Sequence, residues 1–296
     1  MVGDLVHVTS KRGSLVVPVQ GSDSVAVTQA FMAMHWGGRY LSGSSSVGLP
    51  LAGVNALTTS AYCPDSKQPE LKHAAVKILK AELPWTLLAV AWLPTSKAQA
   101  AQTELAALMP SFAFASCVPF ASNTTLDNAS QQRHGVLFRA AAHDAPPDEL
   151  LSQIEALVGL DGQNTMRYQD RRKGQRRVML MAPPPRDGGH DSPHLGSNTG
   201  SLNLQAFLLA GDTSAEAWIK ALLQDELPAQ TFGRLLLLPG AKAPAAVQAR
   251  SPQVCACFNV SRTAITQQLA SCSGATEQRL AQLQTALKCG TNCGSI

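Results

Sequence analysis

The sequence predicts a multi-domain protein: a β-hairpin-containing part first, then a connecting α+β region, then a small helical Cys-rich cluster domain. Three observations carry this. A length of 296 residues suggests two domains, or three small ones, at roughly 150 residues per domain. The hydrophobic pattern changes along the chain, from paired β-type runs to alternating β and α segments to short helices. The seven cysteines are end-loaded, with Cys255, Cys257, Cys272, Cys289 and Cys293 near the C-terminus and only Cys63 and Cys117 elsewhere.

Composition removes several classes. Hydrophobic residues make up 45%, which excludes general disorder. Charged residues are 15%, below the usual ~25%, so Ser, Thr, Gln, Asn and Gly must cover much of the surface. No apolar run reaches the ~18 residues of a membrane helix, and MVGDLVHVTSKRG lacks the charged and apolar regions of a secretory signal. A cytoplasmic protein is expected, with no membrane partner. The net charge of +4 comes from one segment, since NTMRYQDRRKGQRR (164–177) holds six basic residues and one acid. A generally basic, nucleic-acid-binding surface is therefore excluded.

DLVHVTS and SLVVPVQ flank Lys11-Arg12-Gly13 as the two arms of a hairpin. No cap or loop precedes them, so this domain is expected to be N-terminally incomplete. A Gly/Ser-rich stretch follows over 37–78, and a loop of that length in a compact domain is usually functional. From Pro84 the pattern alternates. WTLLAVAWL reads as a buried strand, SKAQAAQTELAALM as a helix behind a Ser96 cap, SFAFASCVPF and HGVLFRAAA as strands, and PPDELLSQIEALVG as a helix opened by prolines. A hairpin turns around Arg171-Arg172-Lys173-Gly174. Residues 183–201 form a Pro/Gly-rich linker, after which LNLQAFLLAG, the amphipathic TSAEAWIKALLQDE and RLLLLPG resume the α/β alternation.

An Ala/Pro linker leads to the last segment. VCACFNV is extended, Ser261 caps a helix through TAITQQLASC, Gly274 breaks it, and Thr276 caps EQRLAQLQTALKC, whose Leu280, Leu283 and Leu287 form one stripe. A unit of about 45 residues buries little core and usually needs a staple. Cys255-x-Cys257 with Cys289 and Cys293 offers one. Four thiolates on tight, Gly-containing turns suit a 2Fe-2S cluster, a four-cysteine zinc site has similar ligand chemistry, and the bland alternative is a set of ordinary buried thiols.

VCACFNVSRTAI and GATEQRLAQLQTALKCGTNCGS resemble the bacterioferritin-associated-ferredoxin-like 2Fe-2S domain, in the form that ends bacterial assimilatory nitrate reductases. The resemblance implies Cys255, Cys257 and Cys293 as ligands and a fourth cysteine at position 296. Ile296 stands there instead, and Cys289, one helical turn before Cys293, is outside the family's pattern. The resemblance thus implies a cluster that is labile, absent, or completed by Cys289. HWGGRYL, GVNALT and PDSKQPELKHAAVKI are similar to the molybdopterin-dinucleotide-binding domain of molybdopterin oxidoreductases. Two phosphates, a guanine and a polar pterin call for backbone donors on Gly-rich loops and a few placed side chains. Asn55 and Lys72 are the implied contacts, with His35, Trp36, Ser66 and Lys67 behind them. LAVAWLP, FASCVPF, DGQNTMRYQDRRKGQRR and AFLLAGDTSAEAWIKALL resemble the region connecting these domains in the same enzymes.

The resemblance implies a partial dinucleotide-binding β-barrel over 1–82, a connecting α+β region over 83–240 containing the linker 183–201, and a C-terminally truncated 2Fe-2S domain over 252–296. The implied function is that of the C-terminal portion of an assimilatory nitrate reductase. In that family an electron-donor protein (ferredoxin, flavodoxin or an NADH-dependent reductase subunit) feeds iron–sulfur centres and a bis-molybdopterin guanine dinucleotide molybdenum that reduces nitrate to nitrite. The 4Fe-4S cluster, molybdenum ligand and nitrate pocket belong to sequence this chain does not contain, so no catalytic residue is assigned and the chain alone is expected to be inactive. The alternatives are a stand-alone iron–sulfur electron-transfer or docking module and a zinc-stapled structural domain. The basic hairpin reads as a solvated turn or a dock for an acidic donor. His190 and His194, in a Gly/Pro linker, are not expected to bind metal, and Cys63 and Cys117 are read as structural thiols. Ser-His-Asp, phosphate-loop and dinucleotide GxGxxG patterns are lacking.

Overall fold

In the computed structural model, the described residues are 3–34, 37–42, 44–45, 49, 53–68, 73–120, 133–183, 202–245, 247, 251–255, 258 and 260–291. The first hairpin forms where the sequence places it. Strands β1 (Leu5–Thr9) and β2 (Gly13–Pro18) pair antiparallel from Leu5–Pro18 to Thr9–Ser14. Ser10 closes the turn twice over, its N–H donating to Gly13 O at 2.9 Å and its Oγ accepting from Arg12 N at 3.0 Å. The short strand β3 (Ser44–Ser45) adds beside β2, and β4 (Lys77–Lys80) adds beside β1, giving the order β3-β2-β1-β4. Among the described residues the expected barrel is thus an open sheet. Its β4 edge exposes Ile78 and Leu79 between Lys77 and Lys80, and flanking lysines of this kind discourage strand addition.

The second sheet has six strands in the order β6-β7-β5-β10-β9-β8. Strand β5 (Trp85–Pro94) is followed by helix α1 (Thr95–Leu108), β6 (Phe114–Phe120), β7 (Arg133–Ala142), helix α2 (Asp148–Leu157), β8 (Thr165–Asp170), β9 (Gln175–Ala182), β10 (Asn203–Ala210) and helix α3 (Glu216–Gln224). Residues Leu87 to Leu93 of β5 are all buried, which explains why that run is continuously apolar rather than alternating: an interior strand is covered on both faces. Helix α1 begins at Thr95, two residues ahead of the start that a Ser96 cap would give.

The chain divides into two compact units, one of Met1–Leu87, Gln102–Val118 and Phe138–Asp148, the other of Leu88–Ala101, Pro119–Leu137 and Glu149–Ile296. The first is built around Val8, Leu15, Val16, Val54, Leu57 and Phe114. The second has a larger core in which Leu88, Val90 and Trp92 of β5 and Phe207 and Leu209 of β10 join Trp218, Ile219, Leu222 and Leu223 of α3. Both tryptophans satisfy their indole N–H, Trp92 donating to Leu223 O at 3.0 Å and Trp218 to Ala241 O at 3.2 Å. RLLLLPG does not continue the strand alternation. It lies at the end of a 3-10 helix, Gln230–Leu237, bent at Gly233 with φ 38° and ψ −117°. Four successive leucines carry no period of two, and here Leu236 is buried while Leu238 is 56% exposed.

The C-terminal segment holds strands β11 (Gln253–Cys255) and β12 (Val260–Ser261) and helices α4 (Arg262–Ser271) and α5 (Thr276–Leu287). Ser261 caps α4 as expected, its Oγ accepting from Ala264 N at 3.3 Å. Thr276 is not a cap. Ala275 takes the extended cap conformation, and Gln278 reaches back so that its Oε1 accepts from Ala275 N at 3.1 Å. Of the leucine stripe, Leu283 is buried and Leu287 half-buried, but Leu280 is 51% exposed, so the apolar face is narrower than the spacing suggests.

Candidate cofactor and thiol sites

Asn55 sits in a one-turn 3-10 helix, Gly53–Ala56, entered through Gly53 at φ 49°. Val54 and Ala56 are buried on either side, so apolar neighbours anchor the turn and leave the Asn55 amide facing solvent. Ser66 and Lys67 share a second turn, closed by Lys67 N donating to Cys63 O at 2.9 Å and Cys63 N donating to Gln68 O at 2.8 Å. Lys67 holds a left-handed φ of 57°, and its Nζ lies 5.6 Å from the centroid of the Tyr62 ring, an exposed cation–π contact. An amide donor–acceptor, a hydroxyl and a cation are therefore displayed on anchored loops of the first unit, the kind of groups that read a base and hold phosphates. His35, Trp36 and Lys72 lie outside the described residues.

Cys63, expected to be a structural thiol, is half-buried in this turn. The Ser66 hydroxyl, joined by the N–H groups of Ser66 and Asp65, holds it below the ordinary thiol range. Cys117 does behave as a core thiol. Burial pushes it up to about 12 despite the Arg39 charge, and its Sγ donates to Gln102 O at 4.0 Å.

At the other end of the chain, Cys255 closes β11 and Cys289 follows α5. Both are buried, at 1% and 4% exposure, and both belong to one small cluster with Val260. Cys257, Cys293 and Ile296 lie outside the described residues. Among the described residues no group of three or more His, Cys, Asp or Glu side chains is arranged to hold a metal.

Three of the six basic residues in the basic segment pair with acids from other elements. Glu155, buried on α2, accepts from Arg176 Nη1 at 2.9 Å and Arg167 Nη1 at 2.6 Å. Arg177, 1% exposed, pairs with Asp212 at 2.9 Å. Burial alone would raise the Asp212 carboxyl. The Ser214 hydroxyl and N–H, the Gly240 N–H and the Arg177 charge together outweigh it and hold the group below the usual carboxylate range. Arg171, Arg172 and Lys173 stay exposed on the turn, where Asp170 Oδ1 accepts from Arg172 N at 3.0 Å and Lys173 N at 3.2 Å. The sequence reading missed Glu155 and Asp212. A signal for Glu155 existed, since it falls on the same helical face as Leu151 and Val158.

Residues 2–75 match the family described as the Molydopterin dinucleotide binding domain. This match covers the first hairpin and both turns that carry Asn55, Ser66 and Lys67. A nitrate reductase from Synechocystis sp. (strain ATCC 27184 / PCC 6803 / Kazusa) is 44% identical over 69 residues, 23% of this chain and 8% of the relative. A nitrate reductase from Klebsiella oxytoca is 25% identical over 294 residues, 99% of this chain and 27% of the relative. The first quarter of this chain carries a molybdopterin-dinucleotide-binding domain. The chain spans about a quarter of the Klebsiella oxytoca relative. No solved structure matches it significantly. Among the described residues, no helix is long and apolar enough to cross a membrane.

Proposed function

We propose that the chain is the cofactor-binding and electron-entry part of a cytoplasmic, assimilatory nitrate reductase, acting on nitrate within a longer enzyme. The observation that carries this is the dinucleotide-binding match over 2–75, joined to a nitrate reductase relative that aligns along nearly the whole chain. Molybdenum held by molybdopterin guanine dinucleotide would supply the two-electron reduction of nitrate to nitrite. The chain's own residues hold and orient the dinucleotide. Asn55 pairs with the polar edge of the guanine or pterin, Lys72 and Lys67 neutralise phosphate charge, and Ser66 donates a hydroxyl, with His35 and Trp36 as further contacts by resemblance. The exposed amide of Asn55 on its anchored turn fits that task, as does a lysine held at the surface beside Ser66.

Within this reading, residues 1–82 form the dinucleotide-binding domain, 83–240 the connecting region and 252–296 a 2Fe-2S domain with Cys255, Cys257 and Cys293 as ligands. The 4Fe-4S cluster and molybdenum ligand belong to the rest of the enzyme. The electron donor is a ferredoxin, a flavodoxin or an NADH-dependent reductase subunit. The chain alone reduces no nitrate. Calorimetric titration with guanosine diphosphate tests the first part: saturable binding by the purified chain, weakened about tenfold (~1.4 kcal/mol) by Asn55→Ala, is expected. Binding that Asn55→Ala and Lys72→Ala both leave unchanged would contradict the site.

A further inference from the structure

We infer that β4 is a docking edge: it takes an extended partner segment with an apolar centre and acidic flanks as the next strand of the four-stranded sheet. The backbone there is set up for addition. Ala81 N donates to Leu5 O at 2.8 Å, and bonded pairs alternate along an antiparallel ladder, so His7–Leu79 and Thr9–Lys77 are the further bonded pairs. The alternate residues of β1 face β2, as Val19 N donating to Asp4 O at 2.9 Å shows. The N–H and C=O groups of Ile78 and Lys80 therefore point away from β1, along an edge at which no further strand pairs among the described residues. The side chains follow the same pattern. Leu15, Val8 and Ile78 stand side by side on one face, and their exposures rise from 1% to 6% to 45%. Val16, His7 and Leu79 make the matching row on the other face, where Leu79 is 52% exposed. Both rows end at the edge with an apolar side chain that one further strand would cover.

The charges specify the occupant. Lys77 and Lys80 bracket the two apolar residues, and the Asp4 carboxylate, 3.9 Å from Lys80, leaves that lysine side chain 61% exposed. An exposed contact of this kind neutralises little. A second copy of β4 would gather two lysines from each chain along one seam, whereas a segment with Glu or Asp at both ends sets opposite charges across the new pair. The competing account makes the lysines a guard against any pairing. It explains the charges but not the residues between them, an isoleucine and a leucine about half exposed on opposite faces. Lysines resist basic or uncharged strands while attracting acidic ones.

The test titrates the purified full chain into a fluorescein-labelled, end-capped peptide, Ser-Glu-Val-Ile-Glu-Ser, read by anisotropy, with amide exchange followed in parallel. Saturable sub-millimolar binding that slows exchange of the Ile78 and Lys80 amides is expected. Replacing both glutamates of the peptide by lysine should weaken binding at least tenfold, and a chain carrying Lys77→Glu and Lys80→Glu should reverse that preference. Ile78→Pro removes an outward N–H and no bond to β1, so it should keep the native circular dichroism and weaken binding at least tenfold. If Ile78→Pro unfolds the sheet, the charge-reversed chain decides. Absence of binding, equal binding of the acidic and basic peptides, or protection confined to residues away from β4 overturns the inference. So does a dimer in sedimentation that the charge-reversed chain no longer forms, since the occupant would then be a second copy.

Discussion

The core around β5, β10 and α3 and the core of the C-terminal segment belong to one chain but are made of different atoms. The first gathers tryptophan, phenylalanine and leucine at near-zero exposure, with each indole N–H bonded to a carbonyl. The second buries two thiols and a valine, with Phe258, Ala264, Ile265 and Leu287 only partly buried against them. Burying a large apolar side chain contributes roughly 1.5–3 kcal/mol, so the first core sums many such terms and the second only a few. Helix α4 shows the same contrast, since none of its residues is buried, whereas α3 buries five. The first core is almost entirely hydrocarbon and indole, whereas the second leans on thiols.

Substitutions can break or sharpen this contrast. The largest effect is expected from Trp218→Ala, which removes a ring packed edge-on against Phe232 and the hydrogen bond to Ala241. A loss of about 3–5 kcal/mol in denaturant unfolding should follow, independent of iron. If iron rescued it, the two cores would not be separable. Next is Asp212→Asn, which leaves the buried Arg177 with a weaker partner and should lower stability by about 2–3 kcal/mol at neutral pH. The sign of its pH dependence follows from the lowered folded pKa. The unfolded chain binds this proton more readily than the folded one, so the contribution is present above the ordinary carboxylate pKa of about 3.9 and fades as pH falls through the lower folded value. Acid unfolding curves of wild type and Asp212→Asn should therefore converge below about pH 4. Ser261→Ala removes the cap of α4 and should cost about 1 kcal/mol, read as faster amide exchange in that helix alone. Leu280→Ala should change stability by less than about 0.5 kcal/mol, because its side chain is half exposed.

The strands of the six-stranded sheet, both hairpins and the five helices were legible because period and breakers agree in those segments, whereas β3 lies, and β4 begins, in the stretch read as a loop. WTLLAVAWL is too short and too uniformly apolar for an amphipathic helix, and Gly13 and Gly174 punctuate the hairpins. What stayed hidden depends on distant partners. Nothing local marks Arg176 and Arg177 as interior, because their acids, Glu155 and Asp212, come from other elements. Thr276 looked like a cap because hydroxyls favour that position, but Gly274 at φ 102° sets the helix start one residue earlier. The dinucleotide contacts were read by resemblance. Of these the structure describes Asn55, Ser66 and Lys67, all on exposed turns, which patterns of burial cannot single out.

The most direct test of the contrast between the two cores is hydrogen–deuterium exchange on the full chain before and after reconstitution with iron and sulfide. Amides of α4 and α5 should exchange at least tenfold more slowly once iron is bound, while those of β5 and β10 stay as they were. Iron bound with no added protection in α4 and α5 would contradict the account.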